Sequence, residues 1–405
     1  MAAQPVFPGA LKANRNKVYR NLVQHTISLP LSKPLTDSME EDWESAFDAL
    51  ILLHYSTPLI DHRISQAVQR ADERSISFNR SLVELLYSNY PESFYTEVKQ
   101  ILQNTLDTKL FAMCASYMMQ NSKGVADQNF LAVKTKQLMN AYPDDPFLDQ
   151  LYYQLSIAGK AVKFPNPELI FSPSFLPGNV LMVSFQRSNR NYPGLALVRS
   201  AAGNWVKDSL GNIVAVPQLA RSNSNMPGYI SNGNTPEGIF RMKGFDQSKS
   251  GFIGPTINVQ MTLPFEKNPA DYFRDTTLDS TWNKNQYARL LPAPLRNYYP
   301  LYQAWYAGKA GRSEIIAHGT TVDPSWYAHK SYYPWTPTQG CLCTKELWDE
   351  RTGRRIFSDQ QKLTNALIRV GGPDGYVLVI NLDDADRPVE LADILPYMNK
   401  ASQKP

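Results

Sequence analysis

An α+β chain of more than one domain is predicted, with a helical N-terminal region followed by a mostly β C-terminal part. Three features carry this expectation. Through roughly the first 160 residues, apolar side chains recur every three or four positions. Four prolines then fall within residues 158–179, "AGKAVKFPNPELIFSPSFLPGN", a stretch that no long helix can cross. Beyond them come short runs rich in Val and Ile and bounded by Gly, Pro and Asn.

The helical region is read from particular segments. "SMEEDWESAFDALILLHY" opens on Ser38 and an acidic first turn, then repeats apolar residues at helical spacing. "LLYSNYPESFYTEVKQIL" and "LMNAYPDDPFLDQLYYQL" resemble each other, since each breaks at Tyr-Pro and restarts after acidic residues. Two copies fit a small helical-repeat module or plain antiparallel packing, and both readings stay open. The strand expectations are "NVLMVSFQ", "GLALVRS", "NWVKDS", "GNIVAVP", "TINVQMTLPF", "SEIIAHG" and "GYVLVINL", with "QQKLTNALIRV" as a helix among them. The expected boundaries are a helical domain over 1–160, a Pro-rich linker over 161–178, a β domain over 179–395 and a tail over 396–405.

Composition narrows the function. A chain of 405 residues, 43% hydrophobic and 19% charged, has the make-up of a globular protein with at least one sizeable core. A net charge of +4 without long basic blocks argues against nucleic acid as a partner. No apolar run reaches the length of a membrane span. The start, "MAAQPVFPGALKANRNKVYR", has no apolar signal-peptide core, so the expectation is a cytoplasmic protein or an exported one in mature form.

The three cysteines, Cys114, Cys341 and Cys343, do not make a disulfide framework. Cys114 lies in the apolar stretch "LFAMCASYMMQ" and reads as a small core residue. Cys341 and Cys343 stand one residue apart behind Gly340 in "TPTQGCLCTKELWDE". A disulfide between them has poor geometry, and a zinc site built from them and His318 is short of ligands. A thiol nucleophile needs a base, and "EIIAHGTT" supplies His318; His329, in "DPSWYAHK", is the rival.

"NTPEGIFRM", "IIAHGT" and "TQGCLC" follow one another in that order. Together they resemble the catalytic domain of the L,D-transpeptidases, enzymes that remodel bacterial peptidoglycan. That family pairs a Thr-Pro-x-Gly-x-Phe turn with a His-Gly strand end and a Ser/Thr-His-Gly-Cys loop. Thr235, Pro236, Gly238, Phe240, His318, Gly319, Thr338, Gly340 and Cys341 match. "TPEGIF" by itself also has the form of a type I turn.

The resemblance implies a sandwich-like catalytic domain, no cofactor and no metal, and an extracytoplasmic address. It makes Cys341 the nucleophile and His318 its base, with backbone N–H groups around Gly340 and Cys341 facing the oxyanion. Thr338, Gln339, Gly319, Trp335 and Tyr333 become candidates for substrate contact. The implied substrate is a peptidoglycan stem peptide: Cys341 would attack its third residue, expel the terminal D-Ala and pass the acyl group to an amine. Alternatives are a hydrolase at the same site (an L,D-carboxypeptidase, or an amidase detaching wall-linked protein) and a non-catalytic envelope-binding protein. The N-terminal helices would position the catalytic domain on the envelope or on a partner protein.

Two positions depart from the family pattern. Gln339 replaces the usual His, and Cys343 stands where Arg or Asn is usual. Arg351, Arg354 and Arg355 are candidates to replace that arginine. The segment from His318 to Cys341 is long and carries Trp326, Tyr327, Tyr332, Tyr333 and Trp335, as a lid or as a loop with its own small core.

Overall fold

The computed structural model describes residues 5–121, 125–161 and 163–402. The last three residues of the expected tail, residue 162 of the expected linker, and residues 1–4 and 122–124 of the expected helical domain lie outside them. The chain divides into two compact units. One comprises residues 13–162 and 223–233; the other comprises 1–12, 163–222 and 234–405. Among the described residues no helix is long and apolar enough to cross a membrane.

The first unit is helical. Its helices Glu40–Leu53, Ile76–Asn89 and Thr108–Asn121 bury Phe47, Leu50, Phe78, Leu82, Leu86 and Met113, all at helical spacing. Both Tyr-Pro breaks fall between helices, Ile76–Asn89 from Tyr95–Asn104 and Val125–Ala141 from Pro146–Ile157. Asp145 caps the last of these through the N–H groups of Phe147 and Leu148. Cys114 is fully buried in Thr108–Asn121.

Among its described residues the second unit is built on ten strands: β1 Val180–Arg187, β2 Gly194–Arg199, β3 Ala215–Gln218, β4 Gly238–Asp246, β5 Asn258–Thr262, β6 Ile316–His318, β7 Leu342–Cys343, β8 Glu346–Trp348, β9 Arg355–Ser358 and β10 Gly375–Asp383. Eight form one sheet in the order β3-β2-β1-β10-β4-β5-β6-β7, mostly antiparallel, and β8 pairs with β9. The architecture is α+β.

The expected sandwich-like pair of sheets is replaced by one large sheet that folds back on itself. The chain beyond β3 reaches the far edge, where Leu219 and Cys343 exchange backbone hydrogen bonds of 2.7 and 2.8 Å. The sheet therefore curls until its ends meet. Met182, Val198 and Val216 from one side share a core with Met261, Ala317 and Leu342 from the other. The helix Asp359–Arg369 adds Leu363, Ala366 and Leu367 to that core, and Ser358 caps its N-terminus through Gln361 N–H.

The opposite face is covered by helical segments, from which Tyr272, Tyr287, Trp305, Ile394 and Met398 pack against Leu181, Val183, Leu195 and Leu378. The region read as mostly β thus carries a helical layer. Within the expected linker, Glu168–Phe171 is a short helix whose Ile170 and Phe171 are buried in this second core. Residues 396–402, expected as tail, belong to the helix Leu391–Ser402. "NWVKDS" forms only isolated bridges, Arg199 to Trp205 and Lys207 to Ile213.

Candidate active site

Side chains alternate across a strand, so the sheet register decides which residues share a face. Ala317 pairs with Leu342, and both enter the enclosed core. His318 pairs with Cys343 on the other face. Continuing that parallel register one residue sets Cys341 opposite Ile316, whose N–H meets the Cys341 sulfur at 3.5 Å. The Cα atoms of His318 and Cys341 are then on the order of 8 Å apart, from strand spacing and rise. Cys343, not Cys341, stands directly across from the histidine. Among the described residues no hydrogen bond joins His318 to Cys341.

His318 is 3% exposed. Its Nδ1 donates to the carbonyl of Gly319, which can only accept, so the neutral ring carries its proton there and Nε2 keeps its lone pair. Burial pushes its pKa down to about 4, partly offset by that bond. The strand is fixed from several sides. Thr344 N–H donates to the His318 carbonyl at 2.9 Å. Gln360 Nε2 donates to the Ala317 carbonyl at 3.0 Å.

Gly319 shows why glycine follows the histidine. A Cβ there would lie 2.3 Å from the carboxylate of Glu346. That carboxylate is buried and accepts from Thr256 at 2.7 Å and Ser358 at 2.5 Å, with Arg355 at 3.6 Å.

Cys341 is half-buried on the loop leading into β7. Its sulfur accepts the Ile316 N–H at 3.5 Å and donates to the Glu314 carbonyl at 3.7 Å. Burial raises its pKa, while the Ile316 N–H and the charge of Arg312 pull it down and Glu314 adds to the rise.

Gly340 has φ 101°, a conformation glycine accepts without strain. Its carbonyl accepts from Thr235 Oγ1 at 2.9 Å, which ties the "TPEGIF" segment to the Cys341 loop. Its N–H donates to Thr338 Oγ1 at 3.0 Å. The expectation that this N–H would face an oxyanion is thus corrected, because it is already spent inside the loop. Thr338 Oγ1 also reaches the Cys341 carbonyl at 3.1 Å, so Thr338 shapes the loop from within.

The segment forms no hydrogen-bonded turn: the chain bends at Glu237, and β4 begins at Gly238. Glu237 is buried, accepting from the Asn381 backbone at 2.7 Å and its side chain at 2.8 Å. Burial pushes its pKa up to about 7 against the pull of Arg190.

The remaining candidates separate. Gln339, two residues before Cys341, is exposed. Of the loop aromatics, Tyr327 and Tyr332 form a small core with Leu219 and Val322, against which Trp326 and Trp335 pack. The self-packing reading accounts for these residues, and Tyr333, 47% exposed, is the aromatic left open to a ligand. His329 is exposed on the same loop.

Arg351 and Arg354 are exposed in the β8–β9 turn, and Arg355 is engaged with Glu346 and Thr256. Arg312 stands closer to the need. It is 5% exposed, donates to the Asn234 carbonyl at 2.7 Å and acts on the thiol. The sequence offered no signal for it, since it precedes the His-Gly motif without belonging to any pattern.

Cys343 is fully buried with its sulfur near Thr336 Oγ1 at 3.8 Å, and burial pushes its pKa up to about 12. Among the described residues no group of three or more His, Cys, Asp or Glu side chains is placed to hold a metal ion. Compared with known protein families, characterised proteins and solved structures, the chain matches none.

Proposed function

We propose that the sheet unit is a cysteine-dependent acyltransferase acting on peptidoglycan stem peptides, in the manner of the L,D-transpeptidases. The observation that carries this reading is the setting of one accessible thiol. Cys341 immediately precedes β7, which pairs with the strand carrying His318, and on this reading His318, its Nδ1 committed to Gly319, offers Nε2 as the base. Attack by sulfur on the carbonyl of the stem's third residue passes the thiol proton to Nε2. That proton then serves the departing D-Ala nitrogen. The resulting thioester is resolved by an amine, or by water in the hydrolytic variant.

Several features support the reading without bearing on the substrate directly. Thr235 braces the nucleophile loop, and Arg312 supplies positive charge where the thiolate develops. On this reading the protein works outside the cytoplasm, where stem peptides are found, with the helical unit engaging the envelope or a partner.

Incubation with tetrapeptide muropeptides, followed by intact-mass analysis, is expected to show an acyl adduct at Cys341 and free D-Ala, both absent in Cys341→Ala. A carbapenem is expected to leave a stable adduct at the same residue. A second reading, a binding protein with a silent site, draws on the raised thiol pKa and the lack of a hydrogen bond between thiol and imidazole. Binding of glycan with neither adduct nor D-Ala would favour it and defeat the acyltransferase.

A further inference from the structure

Glu314 holds a backbone conformation foreign to its side chain. Its φ is 60°, in the left-handed region that a residue with a Cβ occupies only when its surroundings enforce it. Glu266, just beyond β5, provides the enforcement. Its carboxylate accepts the Glu314 N–H at 2.6 Å and the Leu263 N–H at 2.8 Å.

The result is a carbonyl aimed at the nucleophile. The Glu314 oxygen lies 3.7 Å from Cys341 Sγ, and the Ile316 N–H lies 3.5 Å from the same sulfur. The Glu314 side chain is exposed, its charge bears on the thiol, and among the described residues it has no hydrogen-bond or ion-pair partner. The residue whose backbone carbonyl meets the one accessible cysteine thus carries an exposed carboxylate, and a strained turn holds that backbone in place.

We propose that Glu314 selects the acceptor: its carboxylate binds the primary ammonium of an incoming peptide and takes a proton from it, directing the Cys341 thioester to an amine. This rests on the acyl-transfer reading above. A peptide side-chain amine with a pKa of about 10 arrives protonated and non-nucleophilic. One of its protons moves to Glu314. The freed nitrogen forms the C–N bond, the C–S bond breaks, and a second proton from nitrogen goes to the sulfur of Cys341. The glutamic acid then returns its proton to water. The carboxylate's charge attracts an ammonium far more strongly than neutral water, so the residue raises the amine's share of the thioester and favours cross-linking over hydrolysis.

The test uses the full chain with a tetrapeptide donor and an acceptor muropeptide carrying a free amine. D-Ala release and the ratio of cross-linked dimer to hydrolysed stem are read by mass spectrometry. Glu314→Asn keeps a residue that tolerates the left-handed turn, and Glu314→Gln keeps the size. Both are expected to release D-Ala within about two-fold of the parent while the dimer ratio falls roughly ten-fold and KM for the amine rises comparably. Glu314→Asp is expected to recover part of the ratio.

An unchanged ratio with D-Ala release intact overturns the Glu314 assignment alone. Loss of D-Ala release in both variants also overturns it, since the residue would then serve the nucleophile's geometry. No D-Ala release from the parent chain removes the acyl-transfer reading and this inference together.

Discussion

Burial holds both Cys341 and His318 toward their neutral forms, the thiol by raising its pKa and the imidazole by lowering its pKa to about 4. A resting thiolate–imidazolium pair is therefore disfavoured, and in the proposed acyl transfer the proton would move together with attack. The expected consequence is a pH profile. The rate of Cys341 alkylation by iodoacetamide should keep climbing through pH 9, followed by peptide mapping so that buried Cys114 and Cys343 are counted separately. A plateau already reached at neutral pH would mean a preformed ion pair.

At this scale the sequence exposed the residues whose chemistry is rare: Cys341, His318, and the Thr235 that braces Gly340. It did not expose Arg312 or Glu314. Charged residues are common, and what distinguishes these two is a burial and a backbone angle that no local pattern encodes.

Among the elements, β4 shows how a turn-like motif starts a strand. Gly238 has φ 134°, and a Cβ there would lie 2.6 Å from Tyr287 Oη, 2.7 Å from Ala304 Cβ and 2.7 Å from the Leu301 carbonyl. Tyr287 Oη cannot step aside, because it accepts from Ile239 N–H at 2.7 Å and donates to Leu301 at 2.9 Å. Gly238→Ala is expected to cost about 3 kcal/mol, combining backbone strain and overpacking, measured as a drop in urea midpoint. A change below about 0.5 kcal/mol would show that the segment relaxes freely.

Long or well-capped elements were legible: β1, β10 and the helix Asp359–Arg369 follow their apolar spacing and the Ser358 cap. Two-residue β7 is too short for any period to register, and Pro396 inside Leu391–Ser402 hid that helix.

For the whole molecule, buried titratable groups set opposing pH responses. The unfolded chain protonates its imidazole near 6.5 and the folded His318 only near 4, so its contribution is complete above pH 6.5 and fades as pH falls toward 4. Glu237 behaves oppositely. Its folded pKa of about 7 lies above the ordinary 4.5, so the folded state takes up a proton first and gains stability as pH falls through that window. The two partly cancel in the parent protein. Replacing His318 with Gln removes one side of the balance. The stability difference between parent and variant should shift by about 2–3 kcal/mol in the variant's favour between pH 7 and pH 4.5, by urea unfolding. A difference independent of pH would contradict a buried neutral imidazole.

The amino-acid order alone determined the helical-then-β division and the succession of three motifs, because apolar spacing, proline placement and side-chain chemistry are properties of neighbouring residues. Tertiary structure decided the rest. The exchange between Leu219 and Cys343 that closes the sheet, the register that sets Cys343 across from His318, and the charges gathered at Cys341 join segments far apart in the chain. Such pairings are fixed by hydrogen bonds and burial that exist only once the sheet has curled, so no short stretch of sequence contains them.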